Sequence, residues 1–272
     1  MIDTPGLSAA TGPARPRGPV RQLLSANAWA LVGGAVATVV VGLAVPVAAV
    51  AFREGNPLAY VFRGGQLTPN EALATLAVCT LWAALAAPAL AASGPAAWDA
   101  LVRGGIVADA SVPALLVLWA LCPQVTFVAA VKIYCVLAAM VLFGTATARL
   151  ARSPAGRYAA AALASVAMLI VLASPFWVGG AIHNQPRPVV RAVTEAAVLA
   201  NPFYAVTASV TETMRFTWHQ AGLLYRLTRI GDYAAAPPLS WYPAVAVHLA
   251  AAAALGAVAA ILGRLRRGAV GN

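Results

Sequence analysis

IVADASVPALLVLWALCPQVTFVAAVKIYCVLAAMVLFGTATA, residues 106–148, decides the fold of this chain. Only two charges, Asp109 and Lys132, interrupt these forty-three residues. As a single helix the stretch would measure about 64 Å, roughly twice the hydrocarbon core of a bilayer. Cys122-Pro123-Gln124 breaks it near the middle with a residue that lacks a backbone N–H and a polar amide. Two antiparallel helices follow, about 106–121 and 125–148, joined by a tight turn.

Outward from this pair the pattern repeats. Further apolar runs cover about 27–52, 71–93, 157–182 and 241–262, which makes six expected crossings. Across all 272 residues 61% are apolar and only 10% are charged, with a mean hydropathy of +0.80. Soluble domains carry about 25% charged residues, so lipid must solvate most of this chain. The fold class is all-α, a polytopic membrane protein with one transmembrane domain over 26–263. The run at 27–52 exceeds a signal-peptide core and reads as an uncleaved anchor.

Charge gives the orientation. The net charge is +10, and the cations cluster beside the apolar runs. Arg15, Arg17 and Arg21 precede the first run, Arg103 lies before the third, and Arg149, Arg152 and Arg157 separate the fourth from the fifth. Arg264, Arg266 and Arg267 follow the last. Short loops on the other side hold Arg53 and Arg63, offset by Glu54 and Glu71. The positive-inside rule then puts both termini in the cytoplasm, with residues 1–25 as a flexible tail and interfacial start and 264–272 as a basic tail. The natural partner of these cations is anionic membrane lipid. Nucleic acid is not expected, because no aromatic-basic groove pattern accompanies the charge.

The longest connection, 183–240, is not simply polar. Residues 191–200 form a short apolar helical piece, and Asn201-Pro202 stops it and starts another at 203–216, Asn as N-cap and Pro as first helical residue. Trp218, Leu223, Leu224, Tyr225 and Leu227 then interleave with Arg215, Arg226 and Arg229. Such pieces read as interfacial or re-entrant helices, or as an ectodomain loop with a few helical turns.

Lys132 and Asp109 form the candidate intramembrane polar site. An ionised group there costs a few kcal/mol on insertion scales. Either the two face one another across the helix pair, or Lys132 extends to the interface along its own stem. Cys79, Cys122 and Cys135 lack metal-ligand spacing, and only His248 of the three histidines lies in a span. HExxH, GxSG, GxxxxGK[ST] and paired intramembrane acids are all missing from the sequence, so no catalytic residue, cofactor or metal is expected. Trp29, Phe52, Tyr158, Trp177, Trp241 and Tyr242 fit an interfacial aromatic belt.

Three patches add a resemblance: Ala173-Ser174-Pro175-Phe176, Ala200-Asn201-Pro202-Phe203-Tyr204, and Trp241 through Arg264-Leu265-Arg266-Arg267. With six spans, inside termini and broken helices before the last span, the chain resembles ABC-2 type permeases of ABC transporters. The resemblance implies a homodimer or heterodimer of permeases, a separate ABC ATPase subunit and a substrate path along the dimer interface, in a bacterial cytoplasmic membrane. It also implies an ATPase-coupling surface at Trp98, Asp99 and Arg103 in the 94–103 loop, with the stretch 21–28. Many such permeases carry a charged helical segment there; this loop carries only Asp99 and Arg103. A non-transporting scaffold or accessory subunit is the other reading open to the sequence.

Overall fold

The computed structural model describes residues 19–54, 65–182, 184–214 and 240–270. The tail before residue 19, the loop with Arg63, His183 and the Arg- and Trp-containing stretch 215–239 lie outside the described residues. Helix is the only regular structure among the described residues. In chain order the helices are α1 (Pro19–Glu54), α2 (Pro69–Ser93), α3 (Ala97–Asp109), α4 (Val112–Leu121) and α5 (Phe127–Ala148). Then come α6 (Pro154–Leu172), α7 (Ser174–Ile182), α8 (Arg187–Ala200), α9 (Pro202–Met214) and α10 (Tyr242–Val270).

Among the described residues, five helical stretches are long and apolar enough to cross a membrane: Glu71–Ser93, Ala97–Leu121, Phe127–Ala148, Pro154–Leu172 and Tyr242–Leu265. That is the make-up of an integral membrane protein. The apolar part of α1, Val32–Ala48, is shorter. The turn at Cys122-Pro123-Gln124 separates α4 from α5 as the sequence requires. The Thr126 hydroxyl starts α5 by accepting from the Ala129 N–H at 3.1 Å.

α5 is the hub, packed by α2, α3, α6, α9 and α10. Its buried Ile133, Val136, Leu137, Met140 and Val141 meet Leu76, Ala83 and Ala87 of α2 and Leu115 and Leu118 of α4. Little hydrophobic force acts between helices in lipid, so close approach through small residues matters more. A Cβ on Gly144 would lie 2.8 Å from the Pro88 ring, and one on Gly42 2.9 Å from the Ala114 methyl. Trp82 Nε1 donates to Thr38 Oγ1 at 2.9 Å and adds a polar tie between α1 and α2. Tyr158, Trp177 and Tyr242 are exposed near helix ends, where an interfacial belt would sit, and Trp29 is exposed within α1.

Three boundaries differ from the sequence reading. The third crossing was expected at 106–121 after a loop over 94–103. The connection is instead Gly94-Pro95-Ala96, and α3 starts at Ala97. Asp99 Oδ2 accepts from the Ala96 N–H at 3.2 Å and satisfies a first-turn donor. Gly104 does not stop the helix, because its missing side chain lets α3 close onto Thr145 of α5. The fifth run was expected unbroken over 157–182, but it divides at Ala173 into α6 and α7. Pro175 is the cause, since it cannot donate to the carbonyl four residues back. The interfacial start expected within 1–25 is helical from Pro19 and runs on into the apolar run as the continuous 36-residue α1.

The helix pieces at 191–200 and 203–216 correspond to α8 and α9. α8 is amphipathic, with Thr194 and Val198 buried and Arg191 and Glu195 joined at 2.8 Å on its polar side. Hydrogen bonding to Glu195 raises Arg191 above the usual guanidinium range. α9 behaves differently. Every residue from Tyr204 to Val210 is buried, wedged against α5, α2 and α10. Its hydroxyls turn inward on their own backbone: Thr207 donates to Tyr204 O and Ser209 to Ala205 O, both at 3.0 Å.

Candidate functional site

The crossing made by α3 and α4 is interrupted at Ala110-Ser111, midway along its length. Pro113 in the first turn of α4 contributes no N–H to bridge the gap. The Ser111 hydroxyl takes part of the load by donating to Ala108 O at 2.6 Å. Asp109 is the last residue of α3, directly before the break. It is the thirteenth of the 25 residues in this apolar stretch, and its side chain is exposed on the outside of the chain.

The Tyr134 hydroxyl on α5 donates to Asp109 Oδ1 at 2.7 Å. Of the two roles open to Lys132, facing Asp109 or extending to the interface, the first position is held by Tyr134, and Lys132 is half-buried two residues nearer the turn. The sequence held a signal for the tyrosine. Counted from Pro123, Asp109 lies fourteen residues back, Tyr134 eleven forward and Lys132 nine forward. Tyr134 is therefore closer to Asp109 in register along two antiparallel helices of equal rise. A carboxylate at that depth costs about 3 kcal/mol against lipid on insertion scales, so such groups face protein or water. Trp98, Leu101 and Asp109 share one exposed face of α3, and Val112, Leu116 and Trp119 are exposed on α4.

The candidate coupling residues sit at the start of α3. Trp98 projects, 61% exposed. Asp99 caps the helix, as described. Arg103 folds back onto the end of α2, where Nη1 donates to Ser93 O at 3.0 Å and to Ser93 Oγ at 2.8 Å. Two more arginines converge there. Arg149 Nη1 donates to Gly94 O and Pro95 O at 3.2 and 3.3 Å, and Arg157 Nε donates to Ala92 O at 3.0 Å. The last carbonyls of a helix have no partner of their own and carry the negative end of its dipole. Three guanidinium groups therefore close the α2 terminus. Burial, then the neighbouring Arg157, pull Arg149 below the usual guanidinium range, with Asp99 opposing.

At the far end of the bundle, Asn201 does comparable work without charge. Pro175 deprives Val171 O of its helical donor, and the Phe176 N–H turns to Ala173 O and leaves Leu172 O free. The fully buried Asn201 amide takes up both carbonyls: Nδ2 lies 2.9 Å from Val171 O, 3.2 Å from Leu172 O and 3.1 Å from Ser174 Oγ. Its Oδ1 accepts from the Phe203 N–H at 2.9 Å and starts α9, which is the N-cap role read from Asn201-Pro202. Trp177 Nε1 closes the neighbouring Ile170 O at 3.0 Å. The patches 173–176 and 200–204, quoted separately from the sequence, are thus one hydrogen-bonded unit.

Among the described residues no three His, Cys, Asp or Glu side chains gather as a metal centre would require. Comparison with protein-family models, curated proteins and solved structures returns no match in any of the three.

Proposed function

We propose that this chain is the permease subunit of an ABC transporter, moving a substrate across the membrane with energy from a separate ATPase subunit. In this reading α1 supplies a sixth crossing, and both termini face the cytoplasm of a bacterial cell. α8 lies at the outer interface and α9 re-enters the membrane. The chain pairs with a second permease, identical or related.

One observation carries the reading: the broken crossing of α3 and α4 has the Asp109–Tyr134 pair midway along an apolar helix on a face that the described residues leave uncovered. Interrupted helices with a polar group at mid-depth are how membrane transporters build substrate sites. A substrate path between two permease copies would give the carboxylate the polar surroundings it needs. Solubilised from native membranes, the chain is expected to co-purify with an ATPase carrying a GxxxxGK[ST] motif. Asp109→Asn is expected to lower substrate-stimulated ATP hydrolysis about tenfold, equivalent to about 1.4 kcal/mol, without weakening the association. If no ATPase associates, the reading fails.

The second reading, a scaffold or accessory subunit that transports nothing, is favoured by the three-residue turn Gly94-Pro95-Ala96. It leaves Trp98 as the projecting side chain of the expected coupling surface. Trp98→Ala separates the two: a permease loses stimulated hydrolysis, whereas a scaffold shows none to lose.

A further inference from the structure

We propose that a half-open cavity beside His248 is a binding site for a membrane-soluble phenol or a similar one-ring molecule bearing one O–H. The proposal rests on the chain lying in a membrane and does not depend on the permease reading. α6 and α10 both pack on α5 but barely touch each other, which leaves a gap between them. The gap is a cavity of about 130 Å³, floored by Phe143 and Met168 and edged by Val171, Val247 and Ala251. A cavity of roughly 150 Å³ with aliphatic and aromatic walls holds one benzene ring. Val247 is half exposed at the rim, so the mouth opens sideways toward lipid and not toward either end of the bundle.

His248 makes the site selective. It is 7% exposed, and its Nδ1 lies 2.8 Å from Ala244 O. A carbonyl only accepts, so Nδ1 carries the proton, and in the neutral ring Nε2 is an acceptor. With Nδ1 held by its own helix, Nε2 is the ring nitrogen left for the cavity that His248 lines, and among the described residues no donor engages it. Phe143 fixes the ring edge-on, with centroids 5.7 Å apart and planes at 87°. The result is an apolar slot with one hydrogen-bond acceptor, which fits a single O–H on an otherwise apolar ring.

The test uses the full chain in lipid nanodiscs and two photoreactive probes, 3-azidophenol and azidobenzene, which differ by the hydroxyl. At equal membrane concentration, azidophenol is expected to label the α6 and α10 peptides bearing Met168 and Val247 about tenfold more, the worth of one hydrogen bond in an apolar site. His248→Phe keeps an aromatic ring against Phe143 and is expected to bring that ratio to about one. Ala251→Leu narrows the cavity, leaves His248 in place and is expected to lower labelling by both probes. Equal labelling of the unaltered chain, or a phenol preference that survives His248→Phe in a protein that still migrates as folded, overturns the proposal.

Discussion

At the basic end of the bundle the loose carbonyls of α2 are closed by guanidinium groups; at the opposite end those of α6 are closed by an amide and an indole. The electrostatic task is the same, because a helix C-terminus presents unpaired acceptors wherever it stops. The difference lies in where the donors come from and how deeply they sit. Arg103, Arg149 and Arg157 reach in from three helices and remain partly exposed, so their charge stays hydrated while single N–H groups are spent on carbonyls. Asn201 is fully buried, where a cation would need a counter-charge and a neutral amide needs none. One end tolerates redundancy among several donors. The other depends on one side chain for two of its three carbonyls.

Asn201→Ala is the largest way to break this symmetry. It strips donors from Val171 O and Leu172 O and the acceptor from the α9 start, and should cost about 3 kcal/mol in chemical unfolding of the solubilised protein. Adding Pro175→Ala returns an N–H to Val171 O, so the double variant should recover part of that loss. Next in size, Arg157→Gln should cost about 1 kcal/mol, because Arg103 and Arg149 still serve the same helix end. The loss should be nearly the same at low and high salt, since contact hydrogen bonds to carbonyls are poorly screened. A strongly salt-dependent loss would mean that repulsion among the arginines dominates. Thr68→Ala should be similar or smaller, about 1 kcal/mol or less. It removes the hydroxyl that accepts from the Glu71 N–H at 3.4 Å and leaves the other half of the capping box, in which the Thr68 N–H donates to Glu71 Oε2 at 2.7 Å.

Proline and asparagine were legible in the sequence because their effects are local. Pro123 gave the turn, and Asn201-Pro202 gave the stop and restart. Arg103, Arg149 and Arg157 were legible only as a positive cluster. Their acceptors are main-chain carbonyls, which look alike in every residue, so no side-chain pattern pointed to Ala92, Ser93 and Gly94. The early start of α3 was hidden for a similar reason. Gly104 reads as a helix breaker alone and becomes a packing site only once Thr145 is opposite it. The burial of α9 was not legible, because Thr207 and Ser209 read as polar residues until their hydroxyls are seen to close on their own backbone. Asp109 was legible as a polar group at mid-span, but its hydrogen bond to Tyr134 was not, because charge drew attention to Lys132 and phenols carry no charge to notice.

The joint between Pro175 and Asn201 also has a direction in time. A chain emerges from the ribosome N-terminus first, so α6 is complete before residue 201 exists. The acceptor and its donor are separated by 29 residues for Leu172 and 30 for Val171. Until that length has been added, the end of α6 has two bare carbonyls, tolerable at a watery surface and costly in hydrocarbon. The end of α6 can therefore be closed only after α7 and α8 have been made, and the same side chain that closes it starts α9.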